Sequence, residues 1–107
     1  MLKQIINGRI LTPQGWLEGG SIVTDGSKIR VVSNIDLHVE NAEIIDAKGC
    51  HVVPGGVEMH AHGGGGHDFV EGTEEAFRAV VDALVKHGTT SIYPTLSSST
   101  VPKVEQA

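Results

Sequence analysis

Val57-Glu58-Met59-His60-Ala61-His62-Gly63-Gly64-Gly65-Gly66 sets two histidines one residue apart and runs them straight into four glycines. In a strand, Val57, Met59 and Ala61 point to one side and Glu58, His60 and His62 to the other. Both imidazoles therefore project from a single face. Same-face neighbours lie roughly 6 to 7 Å apart along a strand, a gap that two leaning imidazoles can close to share one cation at nitrogen bonds of about 2.0 to 2.1 Å. A chain with six histidines also produces such pairs by chance, so the surrounding residues must decide. The glycines admit two readings: a loop whose amides come close to a ligand, or a flexible turn. A phosphate-binding P-loop is excluded, because no Gly-Lys-Ser/Thr follows.

Downstream the pattern changes to that of a helix. Thr73 suits an N-cap, with Glu74 and Glu75 in the first turn, where the helix dipole favours negative charge. Phe77, Val80, Val81 and Leu84 fall at i, i+3, i+4 and i+7 and predict one apolar stripe. Lys86 and His87 suit the C-terminal turn and Gly88 the residue that ends it. Thr89-Thr90-Ser91-Ile92-Tyr93-Pro94-Thr95-Leu96 reads as a second strand, and Ser97-Ser98-Ser99-Thr100 leads towards another helix. A strand, a helix and a strand with this crossover length predict a βαβ unit with parallel strands, the opening of a barrel.

Upstream, residues 1 to 53 read as short strands between turns: Leu2 to Ile6, Arg9 to Thr12, Trp16-Leu17, Ser21 to Thr24, Lys28 to Val32, Glu43 to Ile45 and His51 to Val53. Asn7-Gly8 and Asp25-Gly26 are tight-reversal signals, and Asp46-Ala47-Lys48-Gly49 predicts a third turn. A small antiparallel sheet, or half of a sandwich, is the expected result. Nothing in this part is expected to be catalytic. Trp16 reads as packing, and His38 and His51 as surface or edge residues. Cys50 has no partner for a disulfide and reads as a small buried apolar residue.

The chain is 107 residues long, with eight basic and 13 acidic residues and a net charge of -5. That balance disfavours nucleic acid or an anionic membrane as the main partner. No apolar run is long enough to span a bilayer, and Met1-Leu2-Lys3-Gln4 opens into a strand instead of a signal peptide, so the expected compartment is cytoplasmic.

Ile44-Ile45-Asp46-Ala47-Lys48-Gly49, followed by Val52-Val53-Pro54-Gly55 and His60-Ala61-His62-Gly63, resembles the entry into the barrel of the metal-dependent amidohydrolase superfamily. The runs Gly63-Gly64-Gly65-Gly66-His67-Asp68-Phe69 and Gly88-Thr89-Thr90-Ser91-Ile92-Tyr93-Pro94-Thr95-Leu96 are similar to the N-acetylglucosamine-6-phosphate deacetylase family within it. The resemblance implies an α/β fold: a β-sandwich portion at 1–53, then the first two strands of a (β/α)₈ TIM barrel at 54–107. It implies hydrolysis of the N-acetyl group of an amino-sugar phosphate, a small-molecule substrate, by a full-length enzyme that is a homodimer. It further implies a divalent metal, Zn first and Fe, Mn or Co as alternatives, with His60 and His62 as ligands in the two-metal variety of the family.

Several residues depart from the family pattern. Superfamily members carry Asp where this chain has Glu58, which either hydrogen-bonds an imidazole from behind or is a deeper barrel residue with no metal role. Gly56 replaces a bulkier apolar residue and His67 an aromatic. Gly63, Gly64, His67 and Thr95 are candidates for the substrate mouth. A dihydroorotase-like or isoaspartyl-dipeptidase-like amidohydrolase is the nearer alternative, and a non-catalytic metal-binding or interaction module the more distant one.

The resemblance places the remaining ligands, the catalytic aspartate and the phosphate-binding groups on later strands, so no catalytic residue is expected within this chain. A barrel typically needs about 250 residues, so the chain reads as an N-terminal fragment. The purified chain is accordingly expected to release no acetate from N-acetylglucosamine 6-phosphate, and metal-dependent turnover in an acetate assay would contradict the expectation.

Overall fold

A computed structural model describes residues 1–107, and their contacts divide into two units, Met1–Pro54 and Gly55–Ala107. The first unit holds β1 (Leu2–Ile6), β2 (Arg9–Thr12), β3 (Gly15–Leu17), β4 (Ser21–Asp25), β5 (Lys28–Ser33), β6 (Glu43–Asp46) and β7 (His51–Val52). These strands form two sheets, ordered β5-β4-β1-β6 and β3-β2-β7. The β4–β5 hairpin turns at Asp25-Gly26 as expected, with Asp25 opposite Lys28 and Gly26 at φ +57°. β2 and β3 pair antiparallel around Pro13-Gln14, with Thr12 opposite Gly15.

The other two turns are corners. Asn7 does take a positive φ of 56°, yet β1 stays in one sheet and β2 enters the other. Asp46-Ala47-Lys48-Gly49 likewise carries the chain from β6 to β7 in the second sheet. β1 pairs in parallel with β6, and β2 in parallel with β7, so the two corners run side by side. Ala47 N–H donates to Ile6 O (2.9 Å), Gly49 N–H to Asn7 O (2.7 Å) and Arg9 N–H to Cys50 O (3.0 Å). The expected antiparallel sheet is therefore a pair of mixed sheets. A reversal and a corner ask for the same left-handed residue, and long-range pairing chooses between them. Gly8 marks the choice, since a Cβ there would run into Val52 Cγ2 and Ala47 Cβ. Cys50 sits at this corner and is exposed rather than buried.

Two buried polar side chains organise the connection after β5. Gln4 Nε2 donates to Leu37 O (2.6 Å) and Asp36 Oδ1 (3.2 Å). Ser21 Oγ donates to Ile35 O (3.3 Å) and accepts from Leu37 N–H (3.4 Å). Residues 35–37 thus gain from side chains the partners that no strand offers them. Trp16 lies 5.0 Å from the His51 ring and under the Arg9 guanidinium at 4.8 Å, a surface cluster of packed rings and charge.

The second unit runs β8 (Gly56–Ala61), β9 (Gly63–Gly64), β10 (His67–Asp68), a 3-10 turn at Phe69–Glu71, α1 (Glu74–Val85), β11 (Thr89–Pro94) and α2 (Val101–Gln106). Thr73 caps α1 as expected, its Oγ1 accepting from Ala76 N–H at 3.2 Å. Gly88 follows the helix at φ +86°. β8 and β11 pair in parallel with α1 as their crossover. Neither helix is long and apolar enough to cross a membrane.

What α1 packs on was not evident in the sequence. Gly63-Gly64 and His67-Asp68 form a β9–β10 hairpin, and this hairpin lies against α1. A Cβ on Gly64 would sit 3.8 Å from both Ala83 Cβ and Val80 Cγ1, so the covered stripe favours small side chains. Ala76 and Val80 are fully buried, whereas Val81, expected in the stripe, is 40% exposed. The buried Phe69 ring meets Phe77 edge-on at 4.8 Å, and its burial contributes about 1.5–3 kcal/mol.

Gly63 has no room for a side chain, because a Cβ would collide with the His67 carbonyl and Asp68 Cα. Gly63→Ala is expected to destabilise the chain by about 1–3 kcal/mol, whereas Gly64→Ala, whose Cβ would meet its neighbours at 3.8 Å, is expected to change stability by less than about 1 kcal/mol. Denaturant unfolding of the two variants checks the contrast.

Candidate metal centre

The two histidines meet at the C-terminal end of β8. Nε2 of His60 and Nε2 of His62 are 3.1 Å apart, and the rings meet edge-on with centroids at 5.0 Å. Without a cation, that approach requires one ring to carry Nε2–H and the other to accept it. With a cation at about 2.0–2.1 Å from each nitrogen, the same separation subtends roughly 100°, close to a tetrahedral angle. Two imidazoles suit Zn, Fe or Co as borderline donors, so the pair fits a divalent metal as a two-point chelate. No group of three or more His, Cys, Asp or Glu side chains is placed to hold a metal ion. Two nitrogens do not make a tight closed site.

Glu58 hydrogen-bonds neither imidazole. Its Oε1 accepts from the backbone N–H of His60 at 3.2 Å. Thr95 follows β11, and its N–H donates to Ala61 O at 2.9 Å. That bond holds Thr95 beside the residue between the two histidines. His62 is fixed from the other side, its carbonyl accepting Phe69 N–H at 2.8 Å.

The glycines form one strand and the turn of a short hairpin. Gly63 pairs with Asp68 and Gly64 with His67, while Gly65 and Gly66 take φ of +60° and +83°. Two consecutive positive φ values match the twist of a tight hairpin. His67 is drawn away into a cap: its Nδ1 lies 3.1 Å from Glu71 Oε2. Glu71 Oε1 accepts Asp68 N–H at 2.8 Å, and Asp68 Oδ1 accepts Val70 N–H at 2.8 Å. Asp68 and Glu71 thus form a capping box around the 3-10 turn. The sequence carries that signal as an acidic N-cap three residues before a glutamate.

No family model matches the chain. A dihydroorotase from Staphylococcus epidermidis is 34% identical over 105 residues, which is 94% of this chain and 23% of that protein. The N-acetylglucosamine-6-phosphate deacetylase of Pasteurella multocida superimposes with a TM-score of 0.89 at 27% identity, covering 99% of this chain and 28% of that one. The chain belongs to the amidohydrolase superfamily. A D-hydantoinase structure is also similar, at 31% identity, with a TM-score of 0.62 over 98% of this chain and 23% of its own. This amidohydrolase chain therefore spans about a quarter of the length of the proteins it matches.

The capping box of this amidohydrolase segment sets a pH dependence. The hydrogen bond from Asp68 N–H, and next the one from His67, hold the Glu71 carboxyl below its ordinary value of 4.5. The folded carboxyl then binds its proton more weakly than the unfolded one. Its stabilising contribution is therefore present above that value and lost as pH falls through the lower folded one. Carbon NMR of Glu71 is expected to show a depressed midpoint that largely survives His67→Ala, since the backbone donor is the larger cause.

Proposed function

We propose that this chain provides the first two metal ligands and the opening βαβ unit of an N-acetylglucosamine-6-phosphate deacetylase. One observation carries the reading: His60 and His62 converge at the end of β8 in a backbone that follows the Pasteurella multocida deacetylase with a TM-score of 0.89. Residues 1–53 are read as the sandwich portion, and 54–107 as strands one and two of a (β/α)₈ barrel. Active sites of such barrels sit at the C-terminal ends of the strands, where His60, His62 and Thr95 lie together.

In this reading His60 and His62 hold one divalent cation, Zn first and Fe, Mn or Co as alternatives. A bound cation supplies Lewis acidity at an amide carbonyl and makes water more acidic. The chain's own residues do the positioning. The β9–β10 hairpin anchors His62 through Phe69, and Thr95 holds the strand end through Ala61. The remaining ligands, the proton-transferring carboxylate and the phosphate-binding groups come from residues outside this chain. The substrate is a small amino-sugar phosphate.

The identity to a dihydroorotase favours a second reading, in which the same segment serves a cyclic-amide hydrolase. Chimeras separate the two. Residues 1–107 replace the matching N-terminal segment of the Pasteurella multocida deacetylase and, separately, that of the Staphylococcus epidermidis dihydroorotase. Acetate release by the first chimera, lost at least about a hundredfold in His60→Ala and His62→Ala, is expected. Activity restricted to the dihydroorotase chimera would assign the second reading instead.

A further inference from the structure

The pairing of β8 with β11 slips where the site begins. Glu58 stands opposite Ile92, but Ala61 stands opposite Pro94, so three steps along β8 match two along β11. Met59 and His60 together face the single residue Tyr93, which is the arrangement of a β-bulge. Pro94 has no N–H to offer the ladder. Pairing resumes only with Thr95 N–H on Ala61 O at 2.9 Å. A bulge bends the strand and turns a side chain to a new direction. Here the turned residue is His60. Its backbone N–H finds its acceptor in Glu58 Oε1 at 3.2 Å, two residues back along the same strand.

We infer that Glu58 is a positioning residue that closes this bulge and thereby aims the His60 imidazole at His62. It acts through the backbone and touches neither ring in a hydrogen bond. An acceptor oxygen, not a charge, is what the contact needs. Glutamine keeps that oxygen and the length of the side chain. A shorter carboxylate also reaches the amide two residues on, as Asp46 does with Lys48 N–H and Asp68 with Val70 N–H, both at 2.8 Å, so aspartate does not remove the contact. Methionine keeps the length and leaves the His60 N–H without its acceptor. Glu58 is half-buried while His60 and His62 are exposed.

The test needs the 107-residue chain, Glu58→Gln and Glu58→Met, with circular dichroism to verify that each is folded. The first measurement is made without metal. Ring-to-ring NOEs between His60 and His62, and amide protection at His60, are expected in the parent and in Glu58→Gln and are expected to be lost in Glu58→Met. Retention of both signals in folded Glu58→Met overturns the inference. The second measurement rests on the metal-centre reading above: Co²⁺ affinity and its visible spectrum are expected to stay within about threefold in Glu58→Gln and to weaken about 10- to 100-fold in Glu58→Met. An equal weakening in Glu58→Gln and Glu58→Met would make Glu58 a charge partner of the cation and overturn the positioning role. If the parent chain takes up no Co²⁺, the metal-centre reading fails, and the metal-free NOE and exchange data still decide the role of Glu58.

Discussion

The absence of a side chain at Gly63 is the constraint on which the second unit depends. There the backbone comes so close to the His67 carbonyl and Asp68 Cα that a methyl group would not fit. The β9–β10 pairing exists only because of that approach. The pairing carries Phe69 into the core and brings its N–H onto the carbonyl of His62. Val80 and Ala83 can then pack beside glycine backbone. The glycine run beside the two histidines lets a helix sit close and ties the carbonyl of the second histidine to Phe69.

Sequence signals are reliable in this chain wherever the structure they specify is local. Thr73 and Gly88 bound α1 because a capping oxygen and a left-handed residue act within one turn of the chain. Asp25-Gly26 makes a hairpin because β4 and β5 pair directly across it, with Asp25 opposite Lys28. Asn7-Gly8 and Asp46 to Gly49 carry similar turn chemistry but become corners, because β6 and β7 lie parallel to β1 and β2 and tie the two bends together. Parallel pairing between segments about forty residues apart in sequence leaves no local trace. Cys50, at the end of the second corner, is left on the surface.

The site was legible in part. Alternation along a strand puts both imidazoles on one face, and their nitrogens do converge. What alternation misses is how they come so close: regular same-face neighbours stand roughly 6 to 7 Å apart, while these nitrogens are 3.1 Å apart. The slip in register at Met59-His60 supplies a bend, and it depends on Pro94 from a strand more than thirty residues later. Glu58, judged by its charge alone, invites a role facing a ring. Its acceptor oxygen matters more, because the donor it meets is the backbone amide two residues on.

Sequence likeness and shape likeness favour different relatives, and their physical content differs. Identity to the dihydroorotase reaches 34% across nearly the whole chain and counts matched side chains. Backbone superposition instead follows the path of the hairpin and the crossover. A D-hydantoinase that is more identical than the deacetylase, 31% against 27%, follows the backbone less well, 0.62 against 0.89. The features that bend the path here are the collapsed glycine hairpin, the His67–Glu71 cap that draws an imidazole aside, and the bulge closed by Glu58. They are spaced along the short stretch that leads into and out of the histidine pair, so the local backbone path around His60 and His62 rests on geometry that a residue-by-residue match does not read.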